Sequence, residues 1–395
     1  MSNGNARAAR SFHVSLDGKI QRALARTLSR GPMAVAYSGG GDSTALLHAL
    51  RERVAFAVIV NHGLSEGSEA RTELAAARAE AMGVEVVRLS WDDPERKAQQ
   101  AAARVARYSL MGEALRARGV ETLLTGHTLT DAVETRVMSE GRSVMLPVTY
   151  APVWPGLRGV DVVRPMLGVT RGEVRGYLKR EGLEWIDDPA NEDHRFRRVR
   201  VRRGVRAADE IQMREDFEEL RDVVAEEAAA LLRELGSVRM DAMGRLTLPA
   251  DAKARMMQVA LCCVAGASDF PPIAKVEALL ARGGTLGGAK ANRWECWKLS
   301  RDPGAVLGRD GVEAIEDVET IAGEVTEWDG RFLVTAAEPG LQIGVVGGEG
   351  PKAVLPALRR GDEIVATPLI EGPGRFEALA VPRLRRILEA RARCG

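Results

Sequence analysis

A glycine-rich turn near the amino terminus carries the clearest chemistry in this sequence. The apolar run at 34–36 leads into the turn, and a helical pattern follows it at once. Glycine allows positive φ and lets a backbone approach an anion closely. The free N–H groups of a first helical turn, with the helix dipole behind them, favour negative charge. The pattern therefore predicts a phosphate-binding turn made of Ser38, Gly39, Gly40, Gly41, Asp42 and Ser43.

Alternating strand and helix patterns indicate the fold that presents this turn. Short apolar runs at 34–37, 55–60, 84–89, 120–125 and 160–165 alternate with helical patterns at 43–53, 68–82, 99–118, 131–138 and 170–181. This order favours an α/β fold with a doubly wound parallel sheet. Ligands of such sheets bind beyond the carboxyl ends of the strands. Two more polar turns end at that edge, and we expect His62, Gly126 and His127 to contact the ligand, although histidines at strand ends also serve as structural hydrogen-bonding groups.

Two pairs of like charges lie three residues apart on helical patterns. Asp131 and Glu134 share one helix face and could hold Mg²⁺ or the ammonium group of a substrate. The alternative is that they only complement the dipole of a first helical turn. Arg104 and Arg107 form the basic pair, which could bind pyrophosphate or stabilise a leaving phosphate. Two solvent-facing arginines are the alternative here.

A dense run of arginines follows the predicted sheet. Seven arginines fall within the twelve residues 195–206, and an acidic helical pattern at 209–227 comes next. Arginine clusters suit phosphate backbones, so the run is a candidate nucleic-acid contact. Pairing with the acidic helix is the other interpretation. The candidate contacts are Arg195, Arg197, Arg198, Arg200, Arg202 and Arg203.

The remaining sequence predicts two smaller domains. We divide the chain into 1–206, a helical part at 207–285 and a small β-rich part at 286–395, where short patterns alternate with glycines. The net charge is +1, no apolar run approaches a membrane span, and the four cysteines form no C-x-x-C pair. These features favour a cytoplasmic protein. Trp294 and Trp297 are expected to pack in a core rather than to serve as platforms for base stacking.

The order of motifs resembles a known enzyme family. The turn at 38–43 resembles the PP-loop of N-type ATP pyrophosphatases, which split ATP into AMP and pyrophosphate. Together with the pieces behind it, the chain is similar to the tRNA(Ile)-lysidine synthetase family, well over 31–206 and in patches beyond. These pieces are VNHGL at 60–64, QAAARVARY at 100–108, GHTLTDAVET at 126–135, RPMLGVTRGEVRGYLKREGLEWIDDPANEDHRFRR at 164–198 and LPALRRGDEIVATP at 355–368.

The resemblance implies a reaction and roles for the candidate residues. ATP adenylates the C2 oxygen of the wobble cytidine in an isoleucine tRNA with a CAU anticodon, and the amine of free lysine then displaces AMP. The turn would hold the ATP phosphates, and Asp42 would ligate Mg²⁺. Arg104 and Arg107 would stabilise phosphate charge, while Asp131 and Glu134 would bind lysine or Mg²⁺. The arginine run at 195–206 and the domains after it, with 207–285 as a tRNA-binding domain, would contact tRNA phosphates. The fold it implies is that of the adenine-nucleotide α-hydrolases. The sequence leaves open whether the protein is a monomer or a homodimer.

Several positions depart from the family pattern and keep alternatives open. The family usually has Asp-Asp-Gln before Ala-Glu-Thr, whereas this chain has Thr130 and Ala132 around Asp131, and Val199 replaces an expected asparagine. One alternative is a relative that binds tRNA or nucleotide without making lysidine. Another is a different PP-loop enzyme that modifies tRNA. A sulfur-transferring type would need cysteines, and residues 1–206 contain none.

Overall fold

The computed structural model describes residues 15–27, 31–61, 63, 67–91, 100–139, 144–187, 201, 204, 207–309 and 311–395. The chain separates into two compact units. The first comprises Met1–Ala103, Ala114–Val148 and Val162–Arg221, and the second comprises Arg104–Glu113, Thr149–Asp161 and Asp222–Gly395. The three-part division into 1–206, 207–285 and 286–395 stays a prediction.

A parallel sheet carries the phosphate turn. Strand β1 pairs in parallel with β2 on one side and β4 on the other, and β2 pairs in parallel with β3. Ala34, Val35, Leu123 and Leu124 of the central strands are fully buried, as expected where helices cover both faces of a parallel sheet. The sheet has the order β3-β2-β1-β4-β6-β5, with β1 at Met33–Ala36, β2 at Phe56–Asn61, β3 at Val86–Ser90, β4 at Thr122–Thr125, β5 at Val148–Tyr150 and β6 at Asp161–Val163.

The helices of this part follow the sequence pattern closely. Each predicted helix is present, and the doubly wound α/β class is confirmed. Helix α2 begins two residues earlier than predicted, because Gly41 and Asp42 already have helical geometry. Helix α1 and strand β5 were not predicted. The helices are α1 at Leu16–Thr27, α2 at Gly41–Leu50, α3 at Ser68–Ala81, α4 at Gln100–Ala117, α5 at Leu129–Met138, α6 at Arg171–Arg180 and α7 at Ala207–Glu234.

The second unit contains an antiparallel sheet backed by helices. Helix α8 (Ala254–Val264) packs against β10 and β11, and helix α9 (Ile273–Arg282) packs against β9. Trp297 and Leu299 of β11 are buried on the covered face, as predicted for Trp297. Trp294 is 77% exposed, so the prediction that it packs in a core was wrong. The strand order is β7-β8-β11-β10-β9, with β7 at Arg239–Met240, β8 at Leu246–Pro249, β9 at Gly284–Leu286, β10 at Ala289–Arg293 and β11 at Cys296–Arg301.

The carboxyl-terminal part is rich in strands, as predicted. Trp328, Phe332 and Leu358 lie at the centre of its apolar core. A final helix, α10 (Ala380–Ala392), packs on α8 and was not predicted. Two sheets have the orders β12-β15-β16-β17 and β13-β14-β18, with β12 at Val318–Glu319, β13 at Val325–Trp328, β14 at Phe332–Ala336, β15 at Gln342–Val345, β16 at Pro356–Arg360, β17 at Glu363–Ala366 and β18 at Gly374–Ala378.

No helix within the described ranges combines the length of a membrane span with its apolar character.

Candidate active site

The turn after β1 is built from glycine geometry and short hydrogen bonds. Gly39 has a φ of +74°, and a Cβ atom there would lie 2.8 Å from the side chain of Ile186. The hydroxyl of Ser43 donates to the Gly40 carbonyl at 2.9 Å and lies 3.1 Å from the hydroxyl of Ser38. Gly40 is the N-cap of α2 and has no side chain to cap its first N–H groups. These groups are therefore oriented to bind an anion.

The turn after β4 lies directly against the phosphate turn. A Cβ atom on Gly126 would lie 3.0 Å from the backbone of Asp42 and of Ser43. Only glycine allows this approach of two backbones without displacement. The neighbouring His127 accepts or donates a hydrogen bond with the Thr125 hydroxyl at 2.9 Å. The structure thus brings Gly126 to the turn, and the ring of His127 hydrogen-bonds to the last residue of its own strand, β4.

Three carboxylates of the first unit meet at one guanidinium. The Nη2 atom of Arg171 donates to Oδ2 of Asp42 at 3.2 Å and lies 3.5 Å from Oδ1 of Asp131. The Nη1 atom of Arg171 lies 4.0 Å from Oε1 of Glu134. Asp42, Asp131 and Glu134, all candidates from the sequence, are therefore held together. The positive charge of Arg171 therefore lies among three carboxylates whose formal charge is −3.

One carboxylate oxygen of Asp42 has no partner among the residues that the structure describes. This Oδ1 atom is buried and accepts no hydrogen bond from them. Burial raises the pKa of Asp42 above its ordinary value, and the attraction of Arg171 opposes this rise. An uncompensated buried carboxylate oxygen suits a hard cation such as Mg²⁺, which prefers oxygen ligands. The residues present therefore fit a magnesium ion at Asp42, although the described residues form no cluster of three or more close metal ligands.

Asp131 and Glu134 lie at the buried start of α5. The Oδ2 atom of Asp131 accepts from the backbone N–H of Thr128 at 2.8 Å and completes a capping box. Asp131 therefore also serves the structural role that the sequence left open, while its Oδ1 atom is turned toward Arg171. Glu134, one turn later, is fully buried. Burial of a carboxylate is costly unless a cation or hydrogen bonds compensate it, so the position indicates a ligand or ion-pair role.

Two of the residues that depart from the family pattern, Thr130 and Ala132, have clear contacts, whereas Val199 lies outside the described residues. The hydroxyl of Thr130 donates to Glu210 at 2.7 Å and accepts from the backbone N–H of Arg171 at 3.2 Å. Ala132 packs with Leu167 and Phe217 in a small apolar cluster. Thr130 thus fixes the start of α6, the helix that carries Arg171, and Ala132 contributes to packing.

Two arginines of α6 were missed as site residues by the sequence analysis. Arg171 contacts the three carboxylates, and Arg175, one turn later, stacks 4.4 Å over the ring of Trp185. The Nη1 atom of Arg175 lies 2.8 Å from the position of a Cβ on Gly41. This atom is buried and donates no hydrogen bond to the described part of the chain. The spacing of four residues within RGEVRGYL puts both on one helix face, and this was the available signal.

The other candidates belong to the second unit or lie outside the described residues. Arg104 and Arg107 belong to the second unit, and both lie over the ring of Tyr108, at 4.8 and 5.5 Å. Burial lowers the pKa of Arg107. Their role toward phosphate stays a prediction. His62 and the candidate contacts Arg195, Arg197, Arg198, Arg200, Arg202 and Arg203 lie outside the described residues.

Comparison with known proteins shows which family this chain belongs to. Residues 13–208 match the family model of the PP-loop domain. The chain is 35% identical over 363 residues to the tRNA(Ile)-lysidine synthase of Caulobacter vibrioides. The aligned region covers 87% of this chain and 83% of that protein. The chain belongs to the tRNA(Ile)-lysidine synthase family. The lysidine synthase of Ruegeria pomeroyi is 34% identical, with 76% of each chain covered. That of Hyphomonas neptunium is 39% identical over 46% of this chain and 52% of its own length.

Membership of the lysidine synthase family settles the class of the site. The glycine turn is the PP-loop of an ATP-using ligase, and the matched domain contains Asp42, Asp131, Glu134 and Arg171. The resemblance seen in the sequence and the predicted fold class are both confirmed.

Proposed function

We propose that this protein ligates free lysine to C2 of the wobble cytidine in an isoleucine tRNA with a CAU anticodon, using ATP. The observation that supports it best is the convergence of Asp42, Asp131 and Glu134 within 4.0 Å of one guanidinium, beside a PP-loop. Such a site can bind phosphates and a cationic substrate together. Lysine and ATP with Mg²⁺ are ligands of these two kinds.

The proposed reaction has two balanced steps. The C2 oxygen of cytidine attacks the α-phosphorus of ATP, the bond to the β-phosphate oxygen breaks, and pyrophosphate leaves. The amine of lysine then attacks C2, the C2–O bond breaks, and AMP leaves while the amine loses a proton. In both steps negative charge builds up on the phosphate oxygens of the leaving group. Positioned N–H groups and cations stabilise this charge.

The residues of this chain divide the work. The N–H groups at the start of α2 bind phosphate oxygens, and the buried Nη1 atom of Arg175 is positioned to donate to an anion beside Gly41. Asp42 would hold Mg²⁺, which neutralises phosphate charge when bound. Glu134 and the Oδ1 atom of Asp131 would bind the lysine cation, and Arg171 orders these carboxylates. Arg104 and Arg107 remain candidates for stabilising phosphate charge.

The arginine run at 195–206 is proposed to contact tRNA phosphates. Changing Arg198, Arg200 and Arg202 together to alanine should weaken tRNA binding and flatten its salt dependence by about 2–3 logarithmic units of slope. If the slope of the salt dependence does not change, these arginines stabilise the protein structure and do not contact tRNA phosphates. We also propose that the protein acts in the cytoplasm, where its tRNA substrate is found.

An omission experiment separates this function from its alternatives. AMP and pyrophosphate formation is measured with ATP, lysine and the isoleucine tRNA, and then with lysine or tRNA left out. We expect full product formation only with all three. Tight tRNA binding without AMP release would indicate a binding protein. Product formation that requires a sulfur donor rather than lysine would indicate a thiolating PP-loop enzyme.

A further inference from the structure

An exposed tryptophan stands at the tip of the β10–β11 hairpin. Trp294 is 77% exposed, more than any other large apolar side chain in the part of the chain that the structure describes. Trp297, three residues later, is 1% exposed and fills the core beneath the sheet. Arg293 lies over the ring of Trp297 at 5.5 Å. The indole of Trp294 therefore contributes little to folding and is available to a partner.

The hairpin belongs to a sheet with one covered and one open face. Helix α8 packs against β10 and β11 on the face that carries Ala291, Trp297 and Leu299, which are buried. Strand residues alternate between faces, so the intervening positions point the other way. Lys290, Asn292 and Lys298 occupy such positions, and all three are exposed.

The open face is basic and contains no acid at its strand positions. The pairing register puts Arg239, Thr247, Lys298 and Asn292 side by side in one row across four strands. In a neighbouring row, Lys290 of β10 lies between Ser300 of β11 and Thr285 of β9. Arg239, Lys290 and Lys298 are exposed, and the described residues offer none of these three a carboxylate partner. The acidic residue nearest to Asn292 and Lys298 in the sequence is Glu295, which lies in the turn between β10 and β11.

We propose that this face contacts the tRNA substrate, with Trp294 stacked on an unpaired base and Lys290, Lys298 and Arg239 on the phosphates around it. This assignment rests on the proposed function, because it names the part of the chain that meets the tRNA. Base–aromatic stacking with a surrounding positive groove is the usual way of holding single-stranded nucleotides. A tRNA offers such nucleotides in its loops and at its 3′ end.

The chemistry of the face fits RNA better than a protein partner. Lysine is depleted in protein–protein interfaces, and the threonine, asparagine and serine positions provide no apolar patch beside the indole. Three cations on one sheet face, with no carboxylate partner among the described residues, match a phosphate backbone. Phosphate contacts would position the tRNA, and the indole would fix one unpaired nucleotide.

Direct binding to the full-length protein tests the proposal. The affinity for the unmodified isoleucine tRNA is measured without ATP at several salt concentrations. Trp294→Ala should weaken binding about tenfold, since stacking of one base contributes on this order. Trp294→Phe should retain most of the affinity. The Lys290→Ala, Lys298→Ala double variant should reduce the salt slope by about 1.5, whereas Lys352→Ala, an exposed lysine elsewhere in this unit, should reduce it less.

The outcomes distinguish this proposal from the proposed function. Wild-type affinity and salt slope in the Trp294→Ala and lysine variants would overturn it, even if lysidine is made normally. If these variants lose tRNA affinity but the wild type makes no lysidine, the result supports the tRNA-binding surface and overturns the proposed reaction. A change of oligomeric state in Trp294→Ala, with unchanged tRNA affinity, would assign the face to a second copy of the chain and overturn the proposal. Circular dichroism should show native folding in every variant.

Discussion

The guanidinium of Arg171 lies 3.2 Å from the Oδ2 atom of Asp42, and this ion pair joins the first turn of α6 to the first turn of α2. The same side chain lies within 4.0 Å of Asp131 and Glu134. One arginine therefore neutralises part of the charge that we assign to binding Mg²⁺ and lysine. When these cations bind, Arg171 has to share or release at least one carboxylate.

Replacing Arg171 should reveal the repulsion between the carboxylates. We expect Arg171→Ala to destabilise the protein by about 1–3 kcal/mol in the presence of a chelator, because buried acids lose their counter-charge. Added Mg²⁺ and lysine should then raise its melting temperature by more than that of the wild type, since they supply the missing charge. Thermal unfolding with and without these ligands measures both effects.

A matched arginine on the same helix provides the control for this variant. Arg180 is exposed and lies 5.7 Å from the ring of Tyr177. Arg180→Ala should melt close to the wild type and respond normally to both cations. If Arg171→Ala also unfolds at the wild-type temperature and gains nothing extra from cations, Arg171 does not organise the carboxylates.

Glu134 should act on lysine rather than on ATP. Glu134→Gln removes one negative charge from a fully buried position and keeps the shape of the side chain. Loss of a charge-assisted hydrogen bond corresponds to a rise of roughly tenfold to a hundredfold in the KM for lysine. The KM for ATP should change little. Steady-state kinetics with each substrate varied in turn measure the two constants, and Glu69→Gln, at an exposed position of α3, is the control. An unchanged KM for lysine refutes this role.

Gly126 should be intolerant of even a methyl group. Its added Cβ would lie 3.0 Å from the backbone of Asp42 and Ser43, so Gly126→Ala should push the β4–α5 turn away from the PP-loop. We expect a loss of about 1–3 kcal/mol of stability from this overpacking, with a raised KM for ATP. Gly168→Ala is the control, because no atom lies within 4 Å of its added Cβ. Equal behaviour of the two variants would contradict the close approach of the turns.

The parts of the site that were predictable from sequence are those encoded locally. The PP-loop, its strand and its helix follow from contiguous residues, and Asp131 and Glu134 follow from a helical spacing. Arg171 could not be assigned in this way, because its contact with Asp42 joins residues 129 positions apart and depends on the packing of α6.

Trp294 shows a different limit of sequence reasoning. Hydrophobicity predicts burial for both tryptophans of the β10–β11 hairpin, yet only Trp297 occurs at a position of the strand that faces α8. Trp294 falls in the turn, where the strand alternation no longer determines the direction of the side chain. Locating that turn required the pairing register of the hairpin.

The stability of the second unit should depend on pH through Glu327. Burial raises the pKa of Glu327 to about 7, while the backbone N–H of Gly330 donates to its carboxylate and opposes the rise. The folded protein then holds a proton that the unfolded chain releases at lower pH. This stabilisation is fully present below the ordinary glutamate pKa and is lost as the pH rises through about 7.

Glu327→Gln imitates the protonated side chain and tests this dependence. At pH 8.5 the variant should be more stable than the wild type, by about 3 kcal/mol at most, and at pH 5 the difference should largely disappear. Urea unfolding at both pH values gives the free energies. Glu324→Gln, at an exposed position of the preceding turn, should show no such pH-dependent difference. If the free energies of unfolding of Glu327→Gln and the wild type differ by the same amount at pH 5 and at pH 8.5, the pKa of Glu327 is not raised.

The central claim is tested most directly by following lysine into tRNA. Purified protein is incubated with ATP, Mg²⁺, radiolabelled lysine and an isoleucine tRNA with a CAU anticodon, and the label in precipitated tRNA is counted. We predict label incorporation by the wild type and its loss in Asp42→Ala, whose missing carboxylate belongs to the PP-loop. A folded wild-type protein that binds this tRNA and ATP but transfers no lysine would contradict the account.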